Sequence, residues 1–313
     1  MPAGGGADSD PSATPETSPP FRTIAIVGLG LIGGSVALAA RRRWQDVSIV
    51  GVDRTEILAG LHTEGVFAEV GDSLDITRGA DLVVLAAPVR EIIATLGRLF
   101  GLIEPSAVVT DVGSTKRAIV AAAGRDGPSL RFVGGHPLAG SVGSGFAVST
   151  ADLFTDRTWL LVPTGRGGSE SVDRVSELVA GLGARPRLID AETHDRVMAA
   201  VSHLPQVAVS ALMRAVGDLA GPDGLELAGT GLLDTTRLAA SPTGLWADVC
   251  ATNADQLGVA LDRLIETLVA IRSSLEDRQA LDDVFAPARE WRRRLEQVMV
   301  QRPMPAGVRS GAC

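Results

Sequence analysis

The chain has 313 residues, 45% of them hydrophobic and 21% charged, a length that suits two domains and a composition that excludes a disordered or fibrous protein. Its formal net charge of −8 argues against a nucleic-acid-binding or anionic-membrane surface. Its only two cysteines, Cys250 and Cys313, supply neither a disulfide framework nor a CxxC metal site, and they point to a reducing cytoplasm.

Residues 1–20 are rich in Pro, Ser, Gly and acid, and read as a disordered lead-in with no signal-peptide pattern. No stretch reaches the roughly 20 apolar residues that a membrane span requires. From Phe21 the pattern changes. Thr23–Val27 is an apolar, β-branched run, a helix is expected from Ile32 to about Arg43, and Val47–Asp53 reads as a second strand. Further strand-like runs are Leu82–Ala86, Val108–Asp111, Phe132–Val133, Trp159–Val162 and Arg187–Ile189. Helical patterns intervene at Arg90–Phe100 and Ser169–Leu182. This alternation predicts an α/β fold, a Rossmann-type doubly wound, mostly parallel sheet over residues 21–190. Beyond it, Ala191–Leu219, Leu245–Leu275 and Asp282–Val300 are helix-periodic, with breaks at Gly221-Pro222 and Ser241-Pro242. They predict an all-helical domain over 191–301, followed by a tail over 302–313.

Gly28-Leu29-Gly30-Leu31-Ile32-Gly33 matches GxGxxG between a strand and a helix. There Gly28 permits the turn, Gly30 admits a pyrophosphate to the backbone, and Gly33 lets helix and strand pack closely. The free N–H groups at the helix start face the phosphates. Asp53 closes the second strand, where a carboxylate accepts the adenosine-ribose hydroxyls and repels a 2′-phosphate. This favours NAD over NADP, with Arg54 next door softening the preference.

Three further segments carry polar chemistry. Thr110-Asp111-Val112-Gly113-Ser114-Thr115-Lys116 follows a strand and contains the only lysine of the chain. Gly134-Gly135-His136-Pro137 is read as a rigid loop just past a strand, where a histidine is well placed to take a proton at neutral pH. Ser202-His203-Leu204-Pro205-Gln206 falls in a helical pattern, with Ser202 and Gln206 on one face and a kink expected at Pro205. Of the other histidines, His62 reads as a solvated residue of a surface helix. His194 reads as a capping or orienting group near the domain junction. On base rates alone, His203 reads as a core histidine.

Together GLGLIGGS, Asp53, DVGSTK, VGGHPLAG, SHLP and the later Asp234-Thr235-Thr236-Arg237 resemble the TyrA family of prephenate and arogenate dehydrogenases over about residues 22–300. The resemblance implies that His136 accepts the proton of the substrate's ring hydroxyl, with Ser114 orienting it beside the nicotinamide. It implies that Arg237 clamps the ring carboxylate and that His203 supports the substrate pocket, with Gln206 and Ser141 also at the substrate. Gly28, Leu29, Gly30, Leu31, Ile32, Gly33, Asp53, Arg54, Ala87, Pro88 and Ser114 are expected around NAD. Trp246 matches a position near the partner subunit's site in a homodimer joined by the C-terminal helices. Gln206, Leu233 and Val142 depart from family patterns. The first two leave the side chain of the substrate open among prephenate, arogenate and an amino-substituted analogue, and the third tilts the reading to prephenate. Other two-domain dehydrogenases with a catalytic lysine in the helical domain are disfavoured, since none is present there. A non-catalytic NAD-binding sensor is the reading from another class.

Overall fold

The computed structural model describes residues 18–61, 65–126, 130–140, 143, 145–165 and 168–300. His62, Ser141, Val142 and the C-terminal segment from residue 301 fall outside the described residues, as do residues 1–17 of the expected lead-in.

The first part of the chain runs β1 (Thr23–Val27), α1 (Leu31–Arg43), β2 (Ser48–Val52), α2 (Thr55–Leu58), β3 (Glu69–Gly71), β4 (Leu82–Leu85) and α3 (Val89–Leu99). It continues with β5 (Val108–Asp111), α4 (Arg117–Asp126), β6 (Arg131–Pro137), β7 (Thr158–Pro163), α5 (Gly168–Gly181) and β8 (Arg185–Leu188). One eight-stranded sheet results, in the order β3-β2-β1-β4-β5-β6-β7-β8. All neighbours are parallel except β6 and β7. The central strands are continuous apolar runs because both faces are covered. Ile24, Ile26, Leu82 and Val84 pack with Val36, Ala40 and Trp44 of the α1 side and Val175 and Leu178 of α5. Val83, Leu85 and Val109 face Ile92 and Leu96 of α3 and Ile119 of α4. Each such fully buried aliphatic side chain contributes about 1.5–3 kcal/mol.

The mostly parallel sheet is as expected, and three local expectations need correction. β3, an exposed edge strand of three residues, has no apolar pattern to announce it. The last strand is Arg185–Leu188 rather than Arg187–Ile189, and its exposed arginines give no strand signal either. His136 does not follow a strand but lies within one. β6 extends through Pro137 and pairs antiparallel with β7, His136 opposite Leu160. The glycines before it serve packing, not turning: a Cβ on Gly135 would land on the Asp111 carbonyl oxygen and lie 3.0 Å from Trp159 Nε1.

Among the described residues after β8 every element is helical. These are α6 (Ala191–Met198), a π-helical turn (Ala199–His203), α7 (Leu204–Leu225), α8 (Thr230–Thr236), α9 (Thr243–Thr252), α10 (Ala254–Ser273) and α11 (Arg278–Val300). Asp190 caps α6 by accepting the N–H of Thr193 at 2.8 Å. The helical run passes without a break from α6 through the π turn into α7, and the turn ends two residues before Pro205, which sits in the first turn of α7. His203 and Gln206 are buried and Ser202 is half-buried. Gly221 breaks α7 with a φ of 64°, and helix resumes through Pro222. Among the described residues no helix is long and apolar enough to cross a membrane.

Candidate active site

The strand order reverses between β1 and β4, and the crevice at their carboxyl ends is where an open α/β sheet binds its ligand. The chain leaves β1 at Gly28, whose N–H reaches Val52 O at 2.8 Å, and leaves β4 at Ala86, whose N–H reaches Val27 O at 2.7 Å. Gly28 has a φ of 99°, and a side chain there would strike the Ala86 carbonyl. A Cβ on Gly33 would strike Gly28 O, so α1 could not approach the loop. Gly30 differs: a Cβ there would meet nothing within 4 Å, because it faces the open crevice. Asp53, just past β2, accepts the N–H of Leu29 through Oδ2 and of Arg54 through Oδ1, both at 2.7 Å. The carboxylate thus braces the glycine loop while standing at the rim.

Two cavities meet over this loop. The first, about 510 Å³, is lined by Gly28, Leu29, Gly30, Asp53, Arg54, Asp72, Ala87, Pro88 and a face of α3. The second, about 430 Å³, is lined by Gly30, Leu31, Ile32, Ala87, Pro88, Ser114, His136 and, from the helical part, Pro242 and Leu245. They share Gly30, Ala86, Ala87, Pro88 and Gly145, so they form one elongated crevice bent over the glycine loop. Asp53 and Asp72 stand at one end of this crevice and Gly30 at its bend, so these residues could receive the adenosine end and the pyrophosphate of a dinucleotide.

Ser114 and His136 reach the second cavity because a buried ion pair ties their segments together. Asp111 is fully buried and accepts the N–H of Gly113 at 2.8 Å and of Gly135 at 3.0 Å. Its carboxylate also pairs with the ammonium of Lys116, which in turn donates to Gly135 O at 2.7 Å. The Asp111–Lys116 loop is therefore stapled to β6.

His136 has a partner that spacing did not reveal. Its Nδ1 lies 2.9 Å from Nε2 of His194, on α6, and Nδ1 of that ring lies 2.7 Å from Oδ1 of Asp195. His194 and Asp195 are both fully buried. Asp195 also accepts the backbone N–H of Lys116 at 2.7 Å and of Arg117 at 2.9 Å. Burial opposes its charge, but the hydrogen bonds from His194, Arg117 and Lys116 hold it below the usual carboxylate range. Burial, and then the neighbouring His194, Lys116 and His203, hold the His136 pKa well below that of an ordinary imidazole.

Of the other residues expected at the substrate, His203, Gln206 and Arg237 line neither cavity. His203 is buried, with Nδ1 3.3 Å from Asn253 Nδ2 and its ring 6.1 Å from that of Trp246, edge to face. Burial lowers its pKa to about 4. Gln206 is buried and spends its amide on the chain: Nε2 donates to Leu238 O at 2.8 Å, and Oε1 accepts Ser241 Oγ at 3.2 Å. It thereby holds the segment that begins at Arg237, which is exposed, and that runs on to Pro242 and Leu245 at the cavity. Asn253 and Asp195 received no role from the sequence. Both are buried links between α6, α10 and Arg117, which donates to Asp195, Asn253 and Asp255.

The family model "prephenate dehydrogenase, nucleotide-binding domain" matches residues 36–188, and "prephenate dehydrogenase, dimerization domain" matches 190–287. A prephenate dehydrogenase of Bacillus subtilis is 33% identical over 279 residues, 86% of this chain and 75% of that protein. The solved prephenate dehydrogenase of A. aeolicus, in complex with hydroxyphenyl propionate and NAD+, superimposes with a TM-score of 0.78 at 27% identity, covering 88% of this chain and 98% of its own. A Synechocystis arogenate dehydrogenase superimposes with a TM-score of 0.70 at 28% identity, over 90% and 98% of the two chains.

Proposed function

The chain belongs to the prephenate dehydrogenase family, and from that premise we propose that it oxidatively decarboxylates prephenate with NAD, yielding 4-hydroxyphenylpyruvate, CO2 and NADH. One observation carries the reading: Ser114 and His136 line the same cavity that opens onto the glycine loop, so a neutral base stands where the nicotinamide end of a dinucleotide would lie. NAD, when bound, supplies the acceptor for the hydrogen and electron pair that leave C4 of the substrate ring.

The protein's own residues have three tasks. Gly28 to Gly33 and the first N–H groups of α1 receive the pyrophosphate, and Asp53 and Arg54 flank the adenosine ribose, with Ala87 and Pro88 forming the opposite wall. His136 takes the proton of the ring hydroxyl as C4 is oxidised, and Ser114 orients that hydroxyl. Arg237 is the cation assigned to the ring carboxylate, with His203, Gln206 and Trp246 supporting the pocket on the helical side. Loss of the carboxylate as CO2 makes the ring aromatic and drives the reaction, so a weak base suffices. A base held neutral at pH 7 is what this step requires, and the depressed His136 pKa meets that need.

The test is NADH formation by the purified protein with prephenate and arogenate supplied separately at matched concentration. A preference for prephenate supports the proposal, and a preference for arogenate overturns the choice of substrate. Tight NAD binding without turnover on either would favour the sensor reading. His136→Asn should bind NAD as the parent does and lose about 10²–10⁴-fold in turnover; near-normal turnover would remove His136 as the base.

The same proposal includes a homodimer formed through the C-terminal helices, in a cytoplasmic setting. Apolar side chains of α10 and α11 stand in solvent in the single chain, among them Val259 (66% exposed), Leu268 (54%) and Trp291 (67%). A run of this kind calls for a partner surface. Light scattering should return twice the chain mass, and a monomer mass would overturn the dimer.

A further inference from the structure

His136, His194 and Asp195 form a row in which each hydrogen bond determines the next. At neutral pH the Asp195 carboxylate can only accept. Its Oδ1 lies 2.7 Å from Nδ1 of His194, so that nitrogen carries the hydrogen. In the neutral ring Nε2 is then a lone pair, and it lies 2.9 Å from Nδ1 of His136. The hydrogen between the two imidazoles must therefore belong to His136. Nε2 of His136 is left with its lone pair and has no hydrogen-bond partner among the described residues, on a ring that lines the cavity.

We infer that His194, anchored by Asp195, is the positioning residue of the catalytic base: it locks His136 as the Nδ1–H tautomer and so makes Nε2 the atom that takes the substrate proton. This rests on the reading of His136 as the base.

Three further features favour the role. Asp195 cannot turn away from His194, because its two oxygens also hold the N–H groups of Lys116 and Arg117 at the start of α4. The two rings are 5.1 Å apart between centroids, and His194 has no exposed surface, so the second imidazole is not free to tumble. The charges that face His136 are also arranged to need it. The Lys116 ammonium lies against the carbonyl of Gly135, next to His136, and is neutralised by Asp111. When Nε2 gains a proton, the Asp195 carboxylate, which also accepts from Arg117 Nε at 3.3 Å, stands one imidazole away. Proton count balances: the hydroxyl loses one, the His136 ring gains one, and the Nδ1–H bond to His194 persists. A histidine present only for packing would not require a fixed tautomer in its neighbour.

The experiment joins kinetics to a direct view of the tautomer in the full-length protein with NAD bound. His194→Gln and His194→Phe should lower kcat by roughly 10²–10⁴-fold. KM for substrate and for NAD should stay within about threefold of the parent, the pattern of a lost transition-state contribution. In 15N-histidine-labelled parent protein, with the ring assigned by comparison with His136→Asn, Nδ1 of His136 should carry the hydrogen at neutral pH. Either variant keeping kcat within about threefold of the parent overturns the inference. So does an Nε2–H tautomer in the parent, which decides the matter even if a variant fails to fold. The two readings fail separately: full turnover by His136→Asn removes the base itself, whereas loss there with retention in His194→Gln removes only the positioning pair.

Discussion

Lys116 is buried against the strand that carries His136, its ammonium on the carboxylate of Asp111 and 2.7 Å from the carbonyl oxygen of Gly135, the residue before His136. Burial lowers its pKa, while Asp111 and Asp195 work to keep it charged. Lys116→Met would leave the Asp111 carboxylate buried and unpaired, a change that costs about 3–5 kcal/mol. The urea midpoint should fall accordingly. Because a positive neighbour is one of the groups depressing His136, the acid limb of kcat/KM should also move to higher pH in the variant. An unchanged midpoint would mean that the pair contributes nothing to stability, and an unchanged limb that Lys116 does not act on the base.

Asp53 holds the N–H of Leu29 at 2.7 Å and stands at the end of the crevice where a ribose would lie. Asp53→Ser removes a charged acceptor from both, and charge-assisted hydrogen bonds contribute about 1.5–3 kcal/mol. KM for NAD should rise about 10- to 100-fold, and the ratio of NADP to NAD activity should rise with it. Unaltered discrimination would shift the role to Asp72, which lines the same cavity and is held by the Thr55 hydroxyl at 2.7 Å.

The glycine loop and Asp53 were legible in the chain because their demands are local. A positive φ, a close helix contact and an open cradle each need glycine within six consecutive residues. The central strands were legible because burial on both faces imposes apolar runs. β6 was read too short for the opposite reason: glycine pairs usually mark turns, and here Gly135 is needed because β5 and Trp159 press on the strand from the sides. The α8 helix, which ends just before Arg237, was not foreseen, since its seven residues expose most of their surface.

The site was legible only in its separate motifs. His136 and His194 are 58 residues apart and meet only because the fold brings α6 to the residue before the end of β6. Asp195 sits next to a histidine whose orienting role was expected, but nothing in sequence links it to the backbone of Lys116 and Arg117. Gln206 marked itself as a departure from a family pattern, and the chain uses it to hold Leu238 and Ser241. Such couplings depend on packing between elements, which no local spacing encodes.

That use of Gln206 separates its expected role from that of Arg237. Arg237→Gln removes the assigned carboxylate clamp and should raise substrate KM by about 10- to 100-fold. Gln206→Leu leaves Arg237 present but frees the segment that follows it, so a rise of only about three- to tenfold is expected, with KM for NAD unchanged. If Gln206→Leu matched Arg237→Gln in KM, Gln206 would be a direct substrate contact rather than a brace.

His203 adds a pH-dependent component to stability. Burial takes its pKa from the ordinary 6.5 to about 4, with Asp195 opposing and His194 adding to the shift. Between those values the unfolded chain binds a proton that the folded chain does not, so stability must fall as pH drops from 6.5 towards 4. The shift corresponds to roughly 3 kcal/mol at most. His136, depressed in the same direction, adds to the slope. Asp255 and Asp195 have carboxyl groups held below their ordinary value, and they act in a lower window, as pH falls below about 4. Urea melts at half-unit steps from pH 3 to 7 should therefore show midpoints rising with pH to near 6.5 and then levelling. His203→Gln should flatten that rise by the His203 share while leaving the fall below pH 4 in place. A flat profile from 4 to 6.5 in the parent would show that His203 is protonated as readily in the folded protein as in the unfolded chain, and that its contact with Asn253 does not require the neutral ring.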